Sequence, residues 1–231
     1  MTITLHNLDC LPEMRKMPDR AFELAIVDPP YFSGPDKLGY YGEIISNTKV
    51  KRQSYKTMGN WTVPGIKYFN ELLRVSEHQI VWGFNYFKIS NLGPGRIIWD
   101  KINGASSFSD GEIAYCSIID TVRFFRLMWN GMIQHNMKNK EIRIHPTQKP
   151  VALYEWLLKN YAKPGDRILD THSGSLSIGI ACYNLGFDLT AYEIDKEYFD
   201  AGKARLERHM AQGRLFETKQ GRVVPTQKAL L

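Results

Sequence analysis

The aliphatic run Leu24–Val27 goes straight into Asp28-Pro29-Pro30-Tyr31, and this junction constrains the chain more than any other stretch. An unbroken apolar run of this kind reads as a parallel-type strand buried on both faces. Two prolines then end it, because neither has an N–H to give to a sheet ladder. Asp28 is thereby fixed at the strand's carboxyl end, where open α/β sheets keep their ligands. A purely structural turn would sooner use Asn, Gly or Ser than an acid, two prolines and an aromatic.

The same logic recurs near the other end of the chain. The strand Arg167–Leu169 delivers Asp170, a small-residue turn with Gly174 follows, and the helical run SIGIACYNLG comes next. Gly and Ser let backbone approach a ligand closely, and a helix N-terminus presents unpaired N–H groups. Downstream, LTAYE ends a strand at Glu193, at a spacing of about twenty residues that lets an acid grip ribose hydroxyls. The dinucleotide fingerprint is missing, since only Gly174 and Gly179 stand where three glycines are required, and no Gly-Lys-Ser/Thr is present. An adenosine ligand with ribose but no pyrophosphate fits this pattern. S-adenosylmethionine is one, and its amino and sulfonium charges suit Asp170.

Between these two junctions, strand patterns at ITL (3–5), ELAIV (23–27), HQIVWG (78–83), RIIWDK (96–101) and GEIAYCSII (111–119) alternate with helical ones. The helix IKYFNELLRVS places Ile66, Phe69, Leu72 and Leu73 on one face, and VALYEWLLKNYA (151–162) and KEYFDAGKARLERHM (196–210) are amphipathic. Such alternation predicts an α/β fold with a doubly wound, mostly parallel sheet. Residues 33–63 lose all periodicity and read as a long mobile or functional loop, and residues 212–231 as a loose tail. The expectation is one domain over 1–211. WGFNYF offers Asn85 and Tyr86 as a pocket wall, with Trp82 and Phe84 suited to core; Phe124, Phe125 and Trp129 suit either core or a wedge facing a partner.

At 231 residues and 43% hydrophobic content the chain can bury one good core. Its net charge of +6 favours a polyanionic partner mildly; the excess gathers at Lys49, Lys51, Arg52 and Lys56, and at Lys138, Lys140 and Arg143. Cys10, Cys116 and Cys182 form no Cys-x-x-Cys pair, so neither zinc nor a disulfide framework is expected, and Cys182 reads as a small core residue. No signal-peptide pattern and no apolar run of membrane-spanning length occurs. A soluble protein of the cytoplasm, without metal and away from membranes, is expected.

DPPY, then HPTQKP (145–150), then the DTHSGS turn, in that chain order, resemble the DNA amino-methyltransferases that act on adenine N6 or cytosine N4. Most methyltransferases place the cofactor turn first and the tetrapeptide later. The reversed order here is similar to the circularly permuted beta group of the family. The resemblance spans about Thr2 to Met210 and implies the Rossmann-like fold of S-adenosylmethionine-dependent methyltransferases. Two departures stand out. The family's turn usually has an aromatic followed by Gly-x-Gly, whereas this chain has His172, Ser173, Gly174 and Ser175, similar to phage-borne members. The target-recognition region, about 120–143, is also small, in keeping with a compact, phage-like member.

The resemblance implies roles residue by residue. Asp28, Pro29, Pro30 and Tyr31 are the catalytic tetrapeptide. Thr147, Gln148 and Lys149 fall on the cofactor side, with Asp28, Asp170, His172, Ser173, Gly174, Ser175 and Glu193, while Asp9 and Cys10 fall near the cofactor's adenine. The chemistry suits these residue types. An exocyclic amine is a poor nucleophile because its lone pair is delocalised into the ring. Acceptors held out of the ring plane, the Asp28 carboxylate and the Pro29 carbonyl, let the nitrogen pyramidalise toward the methyl group. Tyr31 would stack on the base, which must be rotated out of the duplex. Implied partners are double-stranded DNA, S-adenosylmethionine with S-adenosylhomocysteine as product, and a second copy of the chain in a homodimer. Asp as the first tetrapeptide residue leans to adenine N6. Cytosine N4, a decayed module that only grips DNA, and an RNA or protein methyltransferase are the alternatives.

Overall fold

The structure, a computed structural model, describes residues 1–31, 55, 62–90, 92–104, 109–130 and 133–217. The basic cluster of Lys49, Lys51, Arg52 and Lys56 and nearly all of the loop 33–63 lie outside the described residues. In chain order the elements are β1 (Ile3–His6), α1 (Cys10–Met14), β2 (Phe22–Val27), α2 (Ile66–Val75) and β3 (Ser76–Trp82). Then come β4 (Arg96–Asp100), β5 (Gly111–Cys116), β6 (Val122–Arg126), β7 (Trp129–Asn130) and β8 (Ile133–Gln134). The chain continues with α3 (Val151–Tyr161), β9 (Arg167–Asp170), α4 (Ser177–Leu185), β10 (Asp188–Tyr192) and α5 (Lys196–Glu217).

Eight strands form one sheet in the order β1–β10–β9–β2–β3–β5–β4–β6. The first five are mutually parallel, β5 runs antiparallel to both neighbours, and β6 returns parallel to β4. The central strands carry unbroken aliphatic runs because helices cover both faces. One apolar layer joins Leu24, Ile26, Ile80 and Trp82 to Leu153 and Leu157 of α3 and Ala181 and Cys182 of α4. The other joins Ala25, Val27 and Val81 to Met14 of α1 and Phe69 and Leu72 of α2. The sheet is therefore wound on both sides, as the alternation predicts.

This arrangement fixes where a ligand can sit. The connection leaving β2 packs α2 on one face, and the one leaving β9 packs α4 on the other. β2 and β9 are neighbours, so the crossovers diverge between their carboxyl ends and open a crevice there. Asp28 follows β2 directly, and Asp170 closes β9.

Some expectations are corrected. Phe69 and Leu72 are buried, but Ile66 and Leu73 are exposed and Tyr68 and Val75 take the inward positions. Helix α5 runs to Glu217, past residue 212 where a tail is expected. Within the 120–143 region, β6 is the sheet's edge strand, and β7 and β8 form a separate small hairpin. Phe125 and Trp129 are core, while Phe124 is exposed.

Candidate active site

A cavity of about 770 Å³ opens at this crevice, within the size range of small-molecule sites. Asp28, Pro29, Pro30 and Tyr31 form one part of its wall, His172, Ser173, Gly174, Ser175 and Glu193 another, and Thr147, Gln148 and Lys149 a third. Asp9 and Cys10 close it from α1. Three separated stretches of sequence thus face one space. Asp170 is the exception. It is 2% exposed, does not line the cavity, and its Oδ1 accepts the His172 N–H at 3.0 Å. Burial, with Asp28 and Glu193 adding, pushes its carboxyl up to about 8. It shapes the turn from beneath rather than presenting a counter-charge on the wall.

The turn is held from several directions. Gly174 sits at φ +47°, a left-handed conformation that suits glycine. Its N–H donates to Glu193 Oε2 at 2.8 Å, and the Asp195 N–H donates to Oε1 at 2.9 Å. Each carboxylate oxygen keeps further acceptor capacity for ribose hydroxyls. The Ser173 N–H reaches the Tyr192 carbonyl, and Arg205 of α5 donates to the Ser175 carbonyl and to Ser177 Oγ. Tyr68 of α2 bonds Thr171 through its hydroxyl at 2.6 Å and presents its ring to the edge of His172. The buried ring of His145 covers Gly174. Leu176, two residues on, is also left-handed at φ 56°, at the place where a Gly-x-Gly turn would carry its second glycine.

HPTQKP does more than lead into a helix. Thr147 does not cap α3; it meets His145 Nδ1, and the first N–H of α3, from Val151, donates to Glu141 instead. Gln148 lines the cavity, yet its side chain accepts the Ile144 N–H and donates to the Ile142 carbonyl, which pins the segment. Lys149 is 3% exposed. Its ammonium lies 2.7 Å from Asp28 Oδ2 and 2.6 Å from Glu112 Oε2, and 5.4 Å from the centre of the Trp82 ring. Burial opposes its charge, but the two carboxylates outweigh burial and hold its pKa above the ordinary lysine value. Burial also works to raise Glu112, but Lys149 and Lys101 prevail and hold it down at about 2. Asp28 is raised by burial, with Lys149 opposing and Glu112 adding. Its second oxygen, Oδ1, is buried and has no hydrogen-bond partner among the described residues.

Tyr31 stacks on Tyr86, ring centres 4.9 Å apart and planes 14° from parallel. Gly83, at φ +65°, makes room for it: a Cβ there would fall 2.2 Å from Tyr31 Cδ1. Tyr86 reaches the site only through this stack, and neither it nor Asn85 lines the cavity, so WGFNYF is a brace and not a wall. Glu112, Lys101, Tyr68 and Arg205 escape a reading of the sequence. The one trace of Glu112 is a charged residue in an otherwise apolar strand.

Residues 118–204 match the family model of the N6/N4 DNA methylases. The chain is 22% identical to the type II methyltransferase M.HpaI of Haemophilus parainfluenzae over 86% of its own length and 72% of that protein. It is 26% identical to M2.MboI of Moraxella bovis over 87% and 86% of the two chains. Both comparisons make this chain similar to the N6/N4 DNA methylases. The methylase fold agrees with solved structures of low identity. PvuII DNA methyltransferase, cytosine-N4-specific, superposes with a TM-score of 0.55 at 12% identity over 95% of this chain and 94% of its own. TTHA0409 of Thermus thermophilus, in complex with S-adenosyl-L-methionine, gives 0.51 at 18% identity over 90% and 96%. No helix among the described residues is long and apolar enough to cross a membrane.

Proposed function

We propose that this methylase transfers a methyl group from S-adenosylmethionine to the exocyclic N6 of an adenine rotated out of double-stranded DNA. The observation that carries the reading is Asp28, which lines the cavity together with the Gly174 turn and whose Oδ1 is a buried acceptor without a partner among the described residues. A buried, unpaired carboxylate oxygen is costly, and an amine hydrogen satisfies it. The cofactor supplies an electrophilic methyl on a sulfonium, which leaves readily without metal or covalent help.

The residues divide the work. Asp28 Oδ1 and the Pro29 carbonyl take the two amine hydrogens, and the Pro29-Pro30 pair keeps that carbonyl stiff, so little reorganisation accompanies the reaction. Tyr31, already braced on Tyr86, offers its ring to the extruded base. The Gly174 turn and Glu193 take the cofactor's polar end and ribose; Asp9, Cys10, Thr147 and His172 complete that side, and Asp170 acts through the turn that it fixes. Exposed basic side chains, Lys138 and Lys140 among them, suit phosphate contacts, which makes binding salt-sensitive. Among the described residues, Asp at the head of the tetrapeptide is what favours adenine over cytosine.

The test is incubation of the full chain with labelled S-adenosylmethionine and mixed-sequence duplex DNA, then mass spectrometry of the nucleosides. N6-methyladenine is expected. N4-methylcytosine alone would move the target to cytosine. Tight DNA binding with no cofactor binding by calorimetry would instead mark a module without chemistry.

A further inference from the structure

The mechanism above needs Asp28 ionised, with one particular oxygen free, inside a buried site. Carboxylates in such places tend to take up a proton, and a protonated Asp28 would be a poorer acceptor for an amine hydrogen. What stands around it decides its state. From the segment before α3 comes Lys149; from β5, Glu112; and from the end of β4, Lys101, 2.5 Å from Glu112 Oε1. Asp170 of β9 lies close enough to be felt as a like charge, and the hydroxyls of Tyr31, Tyr68 and Tyr154 complete the surroundings. The charges form one chain, Asp28–Lys149–Glu112–Lys101, alternating in sign.

We infer that Lys149 is a positioning residue that keeps Asp28 ionised and turns its free oxygen to the substrate amine, and that Glu112, anchored by Lys101, sets how strongly it does so. Lys149 binds Oδ2 only, which fixes the carboxylate's rotation and leaves Oδ1 without a partner among the described residues. Glu112 competes for the same ammonium at an almost equal distance. It also stands as a like charge toward Asp28. Lys101 ties Glu112 down, and the Trp82 ring closes over the ammonium. The inference rests on the reading of Asp28 as the amine acceptor. It goes beyond that reading in assigning Lys149 to the carboxylate rather than to the cofactor, and in giving Glu112 and Lys101 a part.

Opposite signs make it testable. Lys149→Met removes the cation and leaves Glu112 facing Asp28, so the Asp28 midpoint should rise. Glu112→Gln, nearly isosteric, removes the like charge and releases Lys149 to Asp28, so the midpoint should fall. Carbon-13 NMR of aspartate-labelled protein, with Asp28→Asn identifying the signal, reads the midpoint without any turnover. A rise of about one pH unit or more is expected for Lys149→Met, a shift the other way for Glu112→Gln, and a position close to the parent for Lys149→Arg. The acid limb of the methyl-transfer rate should move with each midpoint. Midpoints that stay put, or that move the same way in Lys149→Met and Glu112→Gln, would overturn the inference. Variants that shift as expected in the spectra, with a parent protein that methylates no DNA, would remove the proposed function and leave the charge coupling standing.

Discussion

The side chain of Leu176 fills space that Gly202 leaves open: a Cβ on Gly202 would lie 3.2 Å from Leu176 Cδ1 and 3.0 Å from the Gly174 carbonyl. Gly179 is similarly placed, with Leu176 Cδ2 3.3 Å from where its Cβ would stand. Leu176 is 1% exposed and left-handed, a backbone state that costs a non-glycine residue on the order of 1 kcal/mol. Two glycines on neighbouring helices thus accommodate a leucine where the family's turn carries glycine, and burial of its side chain offsets the strain.

That coupling has a measurable sign. Gly202→Ala should destabilise by about 1–3 kcal/mol through overpacking, and Leu176→Ala by about 2–5 kcal/mol through the cavity it leaves. The double variant should lose less than the sum, because the smaller side chain at 176 relieves part of the clash. Denaturant unfolding of the four proteins gives the coupling energy; simple additivity would mean that the two sites do not sense each other.

Asp28→Ala should abolish turnover, by about a hundredfold to a thousandfold or more if one preorganised acceptor is lost, while DNA binding stays largely intact. Labelled methyl transfer and fluorescence anisotropy with the same duplex separate the two effects. Near-parent rates in this variant would be incompatible with the amine geometry.

Tyr31→Phe should be mild, since stacking uses only the ring. Tyr31→Ala should weaken both base extrusion and rate, by about 1–3 kcal/mol. Gly83→Ala should resemble Tyr31→Ala although it touches no ligand, because its Cβ would displace the Tyr31 ring. Tyr86→Ala should fall between, removing the brace but not the ring. Single-turnover rates, with 2-aminopurine fluorescence for extrusion, order the four.

Two buried histidines set an acid sensitivity. Burial lowers His145 to about 3, helped by the Arg143 charge, and lowers His172 to about 4, against an ordinary value near 6.5. Between those values the unfolded chain binds more protons than the folded one, so stability rises with pH across the window. Their contribution is complete above about pH 6.5 and is lost as pH falls toward 4, by about 2–3 kcal/mol each at pH 4.5. Asp170 acts in the opposite sense: its folded value is raised to about 8, so its contribution is present at low pH and lost as pH rises. Replacing His145 or His172 by Asn should flatten the fall in melting temperature between pH 6.5 and 4.5. Asp170→Asn should flatten a decline that runs from about pH 4 to about pH 8.

Much of the molecule is determined by sequence alone. The aliphatic run Leu24–Val27 before Asp28 and the shorter pair Ile168 and Leu169 before Asp170 read as covered strands, each stopped by the turn residues that follow. The motifs DPPY, HPTQKP and DTHSGS carry the family resemblance and about half of the cavity wall, since Asp, Pro and Gly at strand ends act through their own local backbone. What only tertiary structure decided is which groups share a charge or a contact. Lys149 is 121 residues from Asp28 and 37 from Glu112, and no periodicity links three side chains on separate elements. Tyr86 and Gly83 brace Tyr31 because Val27 and Val81 pair in register at the ends of β2 and β3. Asp170 lies beneath the wall rather than on it, its carboxylate buried and accepting the His172 N–H. Local sequence fixes the backbone's turns and ends; the long-range packing of the sheet sets the electrostatics of what stands at those ends.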